Sequence, residues 1–499
     1  MLRRKLRKTP RTWLMMTGSI GVLAGLGVAR FRWEFDGRLL LMIAALTAMA
    51  LHKHRRRALL CVFMFGGLIG VWRGAAFLAQ VDRYQELYGK TVTLDVTAST
   101  DGYYEDGQYS FDASAITAQS PVTYALPGKG VVRTQGISSI ARGDRLRVTG
   151  RMYRTRGSRQ FGVSYAQGTV ISSQHFWTDT LRQRFAAGVR NVLPEPLSSF
   201  GLGLLVGQRV DLPDAVSDDL SRAGLTHIIA VSGYNLTIII QAVRRRFSGR
   251  SKYQATVGAL LLMLGFVLIT GFSASIVRAS LVSVLSLWAW YYGRSIRPVL
   301  LVLLPAALTA LWNPLYLWSD IGWYLSFLAF FGVLVIAPLW EERRMARAVR
   351  STAVGQLVRE ALAAQIMTIP IIMYIFARIS TVGLLANIVI VPLVPLAMLL
   401  VTVAGVGGMV LPAWAGWVGM PATVLLNYML DMTHVLASLN HAVVSQPLTL
   451  TAMLVLYACL LVMVCILWKK SPKNAMLTDR EGKLNAEDIH VRTQQMVNN

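Results

Sequence analysis

Long apolar runs separated by short polar segments dominate the chain. Most of them reach the roughly 17 to 25 residues that a helix needs to cross a bilayer. They lie at about 13–29, 39–52, 58–80, 225–243, 254–272, 276–292, 298–314, 321–340, 361–378, 381–409, 414–438 and 448–468. The pattern predicts a polytopic α-helical membrane protein with about twelve spans.

One apolar run is too long for a single straight span. It covers about 381–409 and contains Pro392 and Pro395. Proline removes a backbone donor and clashes with the preceding helical turn, so we expect a broken or re-entrant segment here. Irregular backbone at membrane depth is tolerated only where it is buried in protein or lines a cavity.

Between the third and fourth runs the pattern changes to alternation with period two. Short alternating stretches are separated by Gly, Pro and Asp, at about 91–98, 108–115, 130–134, 144–151 and 162–171. Five short strands in about ninety residues predict a small β-barrel of the OB type over 81–178.

The periodicity divides the chain into five segments. We predict N-terminal transmembrane helices over 1–80, the OB-like domain over 81–178 and amphipathic helices on the membrane surface over 179–224. A second block of transmembrane helices follows over 225–468, and the polar segment 469–499 is expected to be a disordered cytoplasmic tail.

The basic residues predict how the helices are oriented in the membrane. The formal net charge is +25, the mean hydropathy is +0.48, and most of the positive charge sits beside the apolar runs. The basic clusters are Arg3–Lys8, Lys53–Arg57, Arg244–Lys252, Arg294 and Arg297, Arg343–Arg350, and Lys469 and Lys470. Cytoplasmic loops carry the Lys/Arg excess, so we expect both termini in the cytoplasm and the β domain outside the cytoplasmic membrane.

The second half of the β domain is itself basic. Its arginines and interleaved rings are Arg142, Arg145, Arg147, Arg151, Arg154, Arg156, Arg159, Tyr153, Phe161 and Tyr165, against the one acid Asp144 in that stretch. Charges that follow phosphates and rings that stack on bases are what a single-stranded DNA groove requires. A basic face solvated beside anionic lipid headgroups explains the same residues equally well.

Polar residues interrupt the run at 225–243. On a helix beginning at His227, Tyr234 lies beside the histidine, and Ser232 and Asn235 widen the polar arc. Unsatisfied polar groups in hydrocarbon are costly, so the arc is expected to line a water-filled or nucleic-acid-filled path. The alternative is hydrogen bonding between helices, with Gly233 allowing close packing.

Further polar residues lie near later spans. Arg278, with Ser273 and Ser275 as neighbouring donors, is predicted to contact phosphates near the outer mouth, or else to extend its guanidinium to the interface. Asp431 and His434, three residues apart in a late span, are predicted to form a buried polar pair that balances the charge of Arg278, relays protons or has a purely structural role.

Four sequence blocks together resemble the ComEC family of competence proteins, the inner-membrane channels for DNA uptake. They are Gly201–Arg209, Leu225–Ile240, Gly271–Ala279 and Asp320–Ala329, and the resemblance covers about 60–468. It implies the OB fold of the β domain and suggests that Asn387 lines the path. It also implies an external DNA receptor and a cytosolic motor or single-strand-binding protein as partners.

Several missing motifs argue against catalysis. Gly89-Lys90-Thr91 ends like a phosphate-binding loop, but Tyr84 stands where the first glycine is needed. Many ComEC proteins carry a C-terminal metallo-β-lactamase-like domain with a His-x-His-x-Asp-His motif. The only His-x-His here is His52-Lys53-His54, in a basic loop, so we expect this form to lack that domain. We predict no catalytic residue, no metal and no cofactor.

The sequence therefore predicts a channel that translocates single-stranded DNA across the cytoplasmic membrane during natural transformation. Membrane lipids and the DNA strand are the expected direct contacts. The alternative is a transporter of another anionic solute, with the β domain as an interaction module.

Overall fold

The computed structural model describes most of the chain in two compact units. Residues 1–324 with 389–439 form the first unit, and residues 325–388 with 440–499 form the second. The described residues are 11–31, 55–105, 108–120, 124–126, 128–135, 137, 140–155, 157–173, 177–207, 212–229, 251–270, 274–293, 297–345, 352–410 and 414–469.

Helices make up most of both units. They are α1 Arg11–Ala29, α2 Arg55–Gln85, α3 Trp177–Val192, α4 Leu197–Val206, α5 Asp214–Arg222, α6 Thr226–Ile229, α7 Lys252–Thr270, α8 Ala274–Tyr291, α9 Pro298–Trp312, α10 Leu315–Ser319, α11 Ile321–Phe331, α12 Ala337–Met345, α13 Ala353–Phe376, α14 Gly383–Ile390, α15 Val394–Val410, α16 Ala415–Ala437 and α17 Leu450–Lys469. A π-helical turn, Gly332–Ile336, joins α11 to α12, and a 3₁₀ turn, Val391–Leu393, joins α14 to α15. The 3₁₀ turn at Pro392 interrupts the long apolar run at the predicted place.

Seven helices within the described residues are long and apolar enough to cross a membrane. They are Arg11–Ala29, Ala58–Gln85, Ala274–Tyr291, Ile321–Glu342, Gly355–Phe376, Gly383–Val410 and Leu450–Lys469. The protein is therefore membrane-embedded. The total of about twelve spans stays a prediction, because the run at 39–52 and the run at 225–243 beyond Ile229 lie outside the described residues.

Glycines allow α1 and α2 to pack with their backbones in contact. A Cβ atom on Gly25 would lie 1.9 Å from the carbonyl oxygen of Gly67, and one on Gly70 would lie 2.3 Å from that of Val22. Small residues are favoured at such helix interfaces because lipid supplies no hydrophobic force between apolar helices.

The strands lie mainly between α2 and α3. They are β1 Thr91–Ala98, β2 Tyr103–Glu105, β3 Gln108–Ser120, β4 Tyr124–Leu126, β5 Gly130–Gln135, β6 Asp144–Tyr153 and β7 Phe161–Ser173. All five predicted strands are present, in a mixed sheet. β1 pairs with both β3 and β6, β6 pairs with β7, β7 runs parallel to β5, and β5 pairs with β3. Each of these five strands therefore has two neighbours.

The sheet encloses an apolar core that also includes the end of α2. Leu94, Phe111 and Leu146 are fully buried there. Tyr84, in the last turn of α2, is equally buried and stacks on the ring of Phe161 at a centroid distance of 5.4 Å. The candidate span therefore continues into the core of the β domain.

The segment predicted to lie on the membrane surface is packed more deeply than an amphipathic pattern implies. Nine of the ten residues of α4 are buried. In α3, Gly188 approaches α15 so closely that its Cβ would lie 2.4 Å from the carbonyl oxygen of Gly405. The exposed side of α3 carries Trp177 and Leu181.

The second unit contains its own helix pair and a two-stranded ribbon. The π-helical turn packs on α13, where a Cβ on Gly332 would lie 2.4 Å from the carbonyl oxygen of Ala363. Arg359 forms an ion pair with Glu341 at 2.5 Å. The ribbon pairs β8, Arg378–Ser380, with β9, Val443–Ser445.

Candidate functional site

The outward face of β6 carries a row of arginines. Buried and exposed residues alternate along the strand, so Arg145, Arg147 and Arg151 point away from the core while Leu146, Val148 and Met152 fill it. The period-two alternation of a strand with one buried face produces this row. The predicted basic surface is therefore present, centred on β6.

Acidic residues from the first half of the domain neutralise part of this surface. Arg147 donates two hydrogen bonds to Asp95 on β1, from Nε at 2.7 Å and from Nη2 at 3.0 Å. The hydrogen bond from Arg147 is the largest effect on Asp95, and the pKa of that carboxyl lies below its usual range although burial opposes the shift. Arg147 is thus engaged within the sheet.

Two more of the predicted DNA contacts are paired in the same way. Arg159 lies 2.6 Å from Asp112 on β3, and Arg142 lies 3.6 Å from Asp179 on α3. Burial raises the pKa of Asp112, and the positive charge of Arg159 opposes that shift. Counting acids in the second half of the domain alone missed these partners, since they come from β1, β3 and α3.

The remaining arginines are less constrained. Arg151 donates from Nε to the carbonyl oxygen of Gly89 at 3.2 Å. Arg145 and Arg154 are exposed and form no hydrogen bond or ion pair with the described part of the chain. Arg156 lies outside the described residues. The cations that remain available to an anion are therefore Arg145, Arg154 and the terminal nitrogens of Arg151.

The three aromatic residues among these arginines differ in exposure. Phe161 is fully buried in the core, so its prediction as a DNA contact was wrong: it points inward at the start of β7 and packs on Tyr84. Tyr153 is half-buried and lies against Gly162, whose Cβ would be 2.2 Å from Cζ of the tyrosine. Tyr165 is 72% exposed. Two rings, not three, can meet a ligand.

The loop between β6 and β7 is attached to the helices of the same unit. Asn313 donates from its side-chain amide to the carbonyl oxygen of Ser158 at 3.0 Å, and Ser319 donates to that of Gly157 at 2.7 Å. Both helical residues lie in the segment between α9 and α11. The end of the β6–β7 hairpin therefore rests on the helical part of the first unit.

A second attachment joins the domain to α3. Arg182 is buried and donates to the carboxylate of Asp101, 2.6–2.7 Å away. Asp101 also accepts the backbone N–H of Arg142, whose guanidinium reaches Asp179. The sequence pattern did not single out this four-residue network, since Asp101 and Arg182 lie 81 positions apart.

The polar arc predicted on the central span is described at one position. His227 lies in the short helix α6, is exposed, and its Nδ1 is 3.2 Å from the carbonyl oxygen of Gly224. Ser232, Tyr234 and Asn235 lie outside the described residues, as does Ser273 of the neighbouring motif. Their assignment to a path stays a prediction.

Arg278 lies in the second turn of α8 and is 4% exposed. It donates from Nη2 to the carbonyl oxygen of Gly322 at 3.1 Å, and its charge acts on Asp320 and Tyr316 nearby. Its Nε is buried without a hydrogen-bond partner, while Ser275 is half-buried on the same helix. The guanidinium is thus packed inside the protein and does not extend to an interface.

The remaining predicted residues are placed as follows. Asn387, in α14, is half-buried, and its Oδ1 is enclosed without a hydrogen-bond donor among the described residues. Asp431 and His434 are both exposed, and Nδ1 of His434 lies 2.8 Å from Oδ2 of Asp219 on α5. The prediction that Asp431 and His434 form a buried pair was wrong, because the histidine turns toward α5.

Comparison with known proteins gives two relatives of modest identity. A family model described as competence protein matches residues 204–471. ComE operon protein 3 of Bacillus subtilis (strain 168) is 26% identical over 230 residues, which are 46% of this chain and 28% of that protein. Competence protein ComA of Neisseria gonorrhoeae is 26% identical over 369 residues, 67% of this chain and 50% of that protein. The chain thus spans half or less of these relatives, and no solved structure matches it.

Proposed function

The chain belongs to the competence protein family, and from this premise we propose that it is a membrane channel passing single-stranded DNA into the cell during natural transformation. The observation that carries the proposal is the family match over 204–471, which includes five of the seven apolar helices that can cross a membrane. One of the named relatives, ComA of Neisseria gonorrhoeae, is a competence protein by its name. Competence is the state in which a cell takes up DNA.

The membrane concerned is the cytoplasmic membrane, with both termini inside and the β domain outside. The distribution of basic clusters supports this orientation, because Lys and Arg beside a span resist translocation. An outer position allows the β domain to meet DNA before the strand enters the bilayer.

The β domain is proposed to be a closed barrel of the OB type. The pairing of β1 with both β3 and β6, and the parallel pairing of β5 with β7, support closure in that topology. Its available arginines, Arg145, Arg151 and Arg154, would attract the phosphates of a single strand. The attachments at Asn313 and Arg182 would hold this surface in a fixed position on the helical part of the first unit.

The strand then passes the polar groups of the helical domain. The proposed path residues are His227, Ser232, Tyr234, Asn235, Ser273, Ser275, Arg278 and Asn387. The buried, unpartnered polar atoms of Arg278 and Asn387 support their place in a polar interior, since such atoms are costly in hydrocarbon. Arg278 acts there mainly by fixing the segment that begins α11.

The protein is proposed to have no catalytic role and no cofactor of its own. An external receptor would deliver the DNA, and a cytosolic motor or single-strand-binding protein would draw the strand inward. The driving force would come from these partners or from the membrane potential.

A deletion strain tests the proposal. Fluorescent duplex DNA is added to wild-type, deletion and complemented cells, and surface-bound and internalised label are counted separately with transformant frequency. We expect the deletion to retain surface label and to lose both internal label and transformants, with complementation restoring both. Normal transformation without the gene would reject the proposal, and loss of a small anionic solute's uptake with DNA entry intact would favour the alternative transporter.

A further inference from the structure

Two tyrosines are neighbours of one arginine in the strand register, on the outward face of the β6–β7 hairpin. Tyr153 pairs with Gly162 across the two strands, and Arg151 pairs with Ser164. Gly162 has no side chain, so the Tyr153 ring lies flat against its backbone. Tyr165 follows Ser164 directly, and cross-strand neighbours on one face are about 5 Å apart.

A β-bulge turns Tyr165 outward. Between the pairs Thr149–Gln167 and Arg151–Ser164, β7 contains one residue more than β6. Tyr165 has a positive φ of 51°, a conformation that is uncommon for a bulky residue. Gly150 lies opposite the bulge, and a Cβ there would be 3.0 Å from Cα of Ala166. Without the bulge, strict alternation would direct the side chain of residue 165 into the core.

We propose that Tyr153, Arg151 and Tyr165 form a base-stacking site that selects single-stranded over double-stranded nucleic acid. The inference rests on the proposed function and names the part of the β domain that performs the selection. A large ring held exposed by a strained backbone gains nothing in the free protein, whereas it can stack on an unpaired base. The bases of a duplex are already stacked on one another, so their faces are not accessible to the two rings.

Charge at this site favours a polyanion. Arg151 is held through Nε by the carbonyl of Gly89, which leaves its terminal nitrogens facing solvent. Arg154 follows at the end of the strand, close enough for its charge to act on Tyr88, and forms no hydrogen bond or ion pair with the described residues. The acid on the same face, Asp95, is occupied by Arg147. A phosphate between Arg151 and Arg154 would place adjacent bases beside the two rings.

The site also lies at the end of the β domain that is attached to the helices, where a bound strand can be passed on to them. β1 begins here after α2, since Thr91 pairs with Arg151. The loop that follows β6 reaches Asn313 and Ser319 on the helical part of the same unit. A strand held at this site is therefore next to the helices through which it is proposed to pass.

The test uses the purified full chain in detergent micelles, with an oligothymidine, an abasic oligonucleotide of equal length and a duplex as probes. Tyr165→Asn is the main variant, because Asn tolerates positive φ and the change should leave stability equal or higher. We expect its affinity for oligothymidine to fall about five- to hundredfold, the loss of one stacked base, with the abasic and duplex affinities unchanged. Tyr165→Trp should restore binding, and Val170→Ala, an exposed position on the same strand, should have no effect.

The dependence of binding affinity on salt concentration distinguishes the contribution of the tyrosine rings from that of Arg151. Arg151→Gln should lower the slope of log affinity against log salt by about 0.7 for one phosphate on a single strand, whereas Tyr165→Asn should leave the slope unchanged. Equal losses of oligothymidine and abasic binding on Tyr165→Asn would overturn the inference, as would unchanged binding of both. Tighter binding to anionic lipid vesicles than to any oligonucleotide would assign the surface to headgroups. Two separate results distinguish the two proposals: normal single-strand binding by purified Tyr165→Asn rejects the stacking site only, whereas normal transformation in the deletion strain rejects the channel.

Discussion

The guanidinium of Arg278 donates a hydrogen bond from Nη2 to the backbone carbonyl oxygen of Gly322, 3.1 Å away. The two residues lie 44 positions apart, in different motifs of the chain, and the bond joins the second turn of α8 to the first turn of α11. Trp323, next to Gly322, donates from its indole to Thr309 on α9 at 3.0 Å. Three helices are therefore fixed around the start of α11.

Replacing Arg278 with methionine should destabilise this junction. The substitution removes both charge and donor at similar side-chain length, and with them the side-chain hydrogen bond to the Gly322 carbonyl, at a cost of about 1 kcal/mol. Arg278→Lys should retain most of the stability, because a donor and a charge remain. The thermal midpoint of the purified protein measures the effect, with Ser283→Ala on the same helix as the control. A methionine variant as stable as wild type would return Arg278 to the role of an interfacial residue.

The attachment of the β domain to α3 yields a second prediction. Arg182→Met removes the buried guanidinium that pairs with the partly exposed carboxylate of Asp101, and losing a hydrogen bond to a charged group costs about 1.5–3 kcal/mol. We expect a lower thermal midpoint and reduced DNA entry at equal protein level. Arg184→Met, an exposed arginine two positions later on the same helix, should change neither. If both variants behaved alike, the loss would reflect the general charge of α3.

Strand alternation could be predicted from the sequence, but the partners of the charges could not. The period-two pattern gave the exposed row of Arg145, Arg147 and Arg151 correctly, because it depends only on neighbours along β6. Asp95 and Asp112 reach the arginines only through pairing with distant strands. Phe161 was misplaced since nearness to arginines in sequence says nothing about which face of β7 a residue occupies.

In the helical part, too, features local to the sequence could be predicted and contacts between distant helices could not. Hydropathy located the apolar runs, and Pro392 correctly marked the break between α14 and α15. The contact of His434 with Asp219 depends on how α16 packs against α5, which one-dimensional periodicity does not encode. The network around Asp101 likewise requires α3 and the β domain to be in place.

The Asp95–Arg147 pair predicts a dependence of stability on pH. The folded pKa of Asp95 is lowered, so the pair's stabilisation is complete above the unfolded value of about 3.9 and is lost as the pH falls through the lower folded pKa. Arg147→Met should therefore lower the thermal midpoint near neutral pH, and the gap to wild type should close below about pH 4. Arg145→Met, a neighbour on the same face whose charge acts on Asp95 more weakly and without a hydrogen bond, should show a smaller gap over the same pH range. A gap that widened in acid would contradict the assignment.

Orientation can be tested with C-terminal reporter fusions. A reporter after Ala115 should be extracytoplasmic, while reporters after Arg246, Arg344 and Lys470 should be cytoplasmic, because basic clusters resist translocation. Alkaline phosphatase and a fluorescent protein give opposite signals on the two sides, so each fusion is read twice. A cytoplasmic signal after Ala115 would invert the scheme and leave the β domain unable to meet incoming DNA.

The central span gives the sharpest test of the path. His227→Leu and Asn235→Leu should leave the protein inserted and expressed, because the membrane prefers leucine, and should abolish DNA entry while label still reaches the cell surface. If the two residues only joined helices, each substitution would cost about 1 kcal/mol or less, which a large helical bundle should survive with transformation nearly intact. His434→Leu is the matched control, since that histidine contacts Asp219 outside the proposed path. Transformant frequency per unit of protein separates the two cases. Substituting a path residue abolishes transport at unchanged stability, whereas substituting a packing residue lowers stability and leaves transport nearly intact.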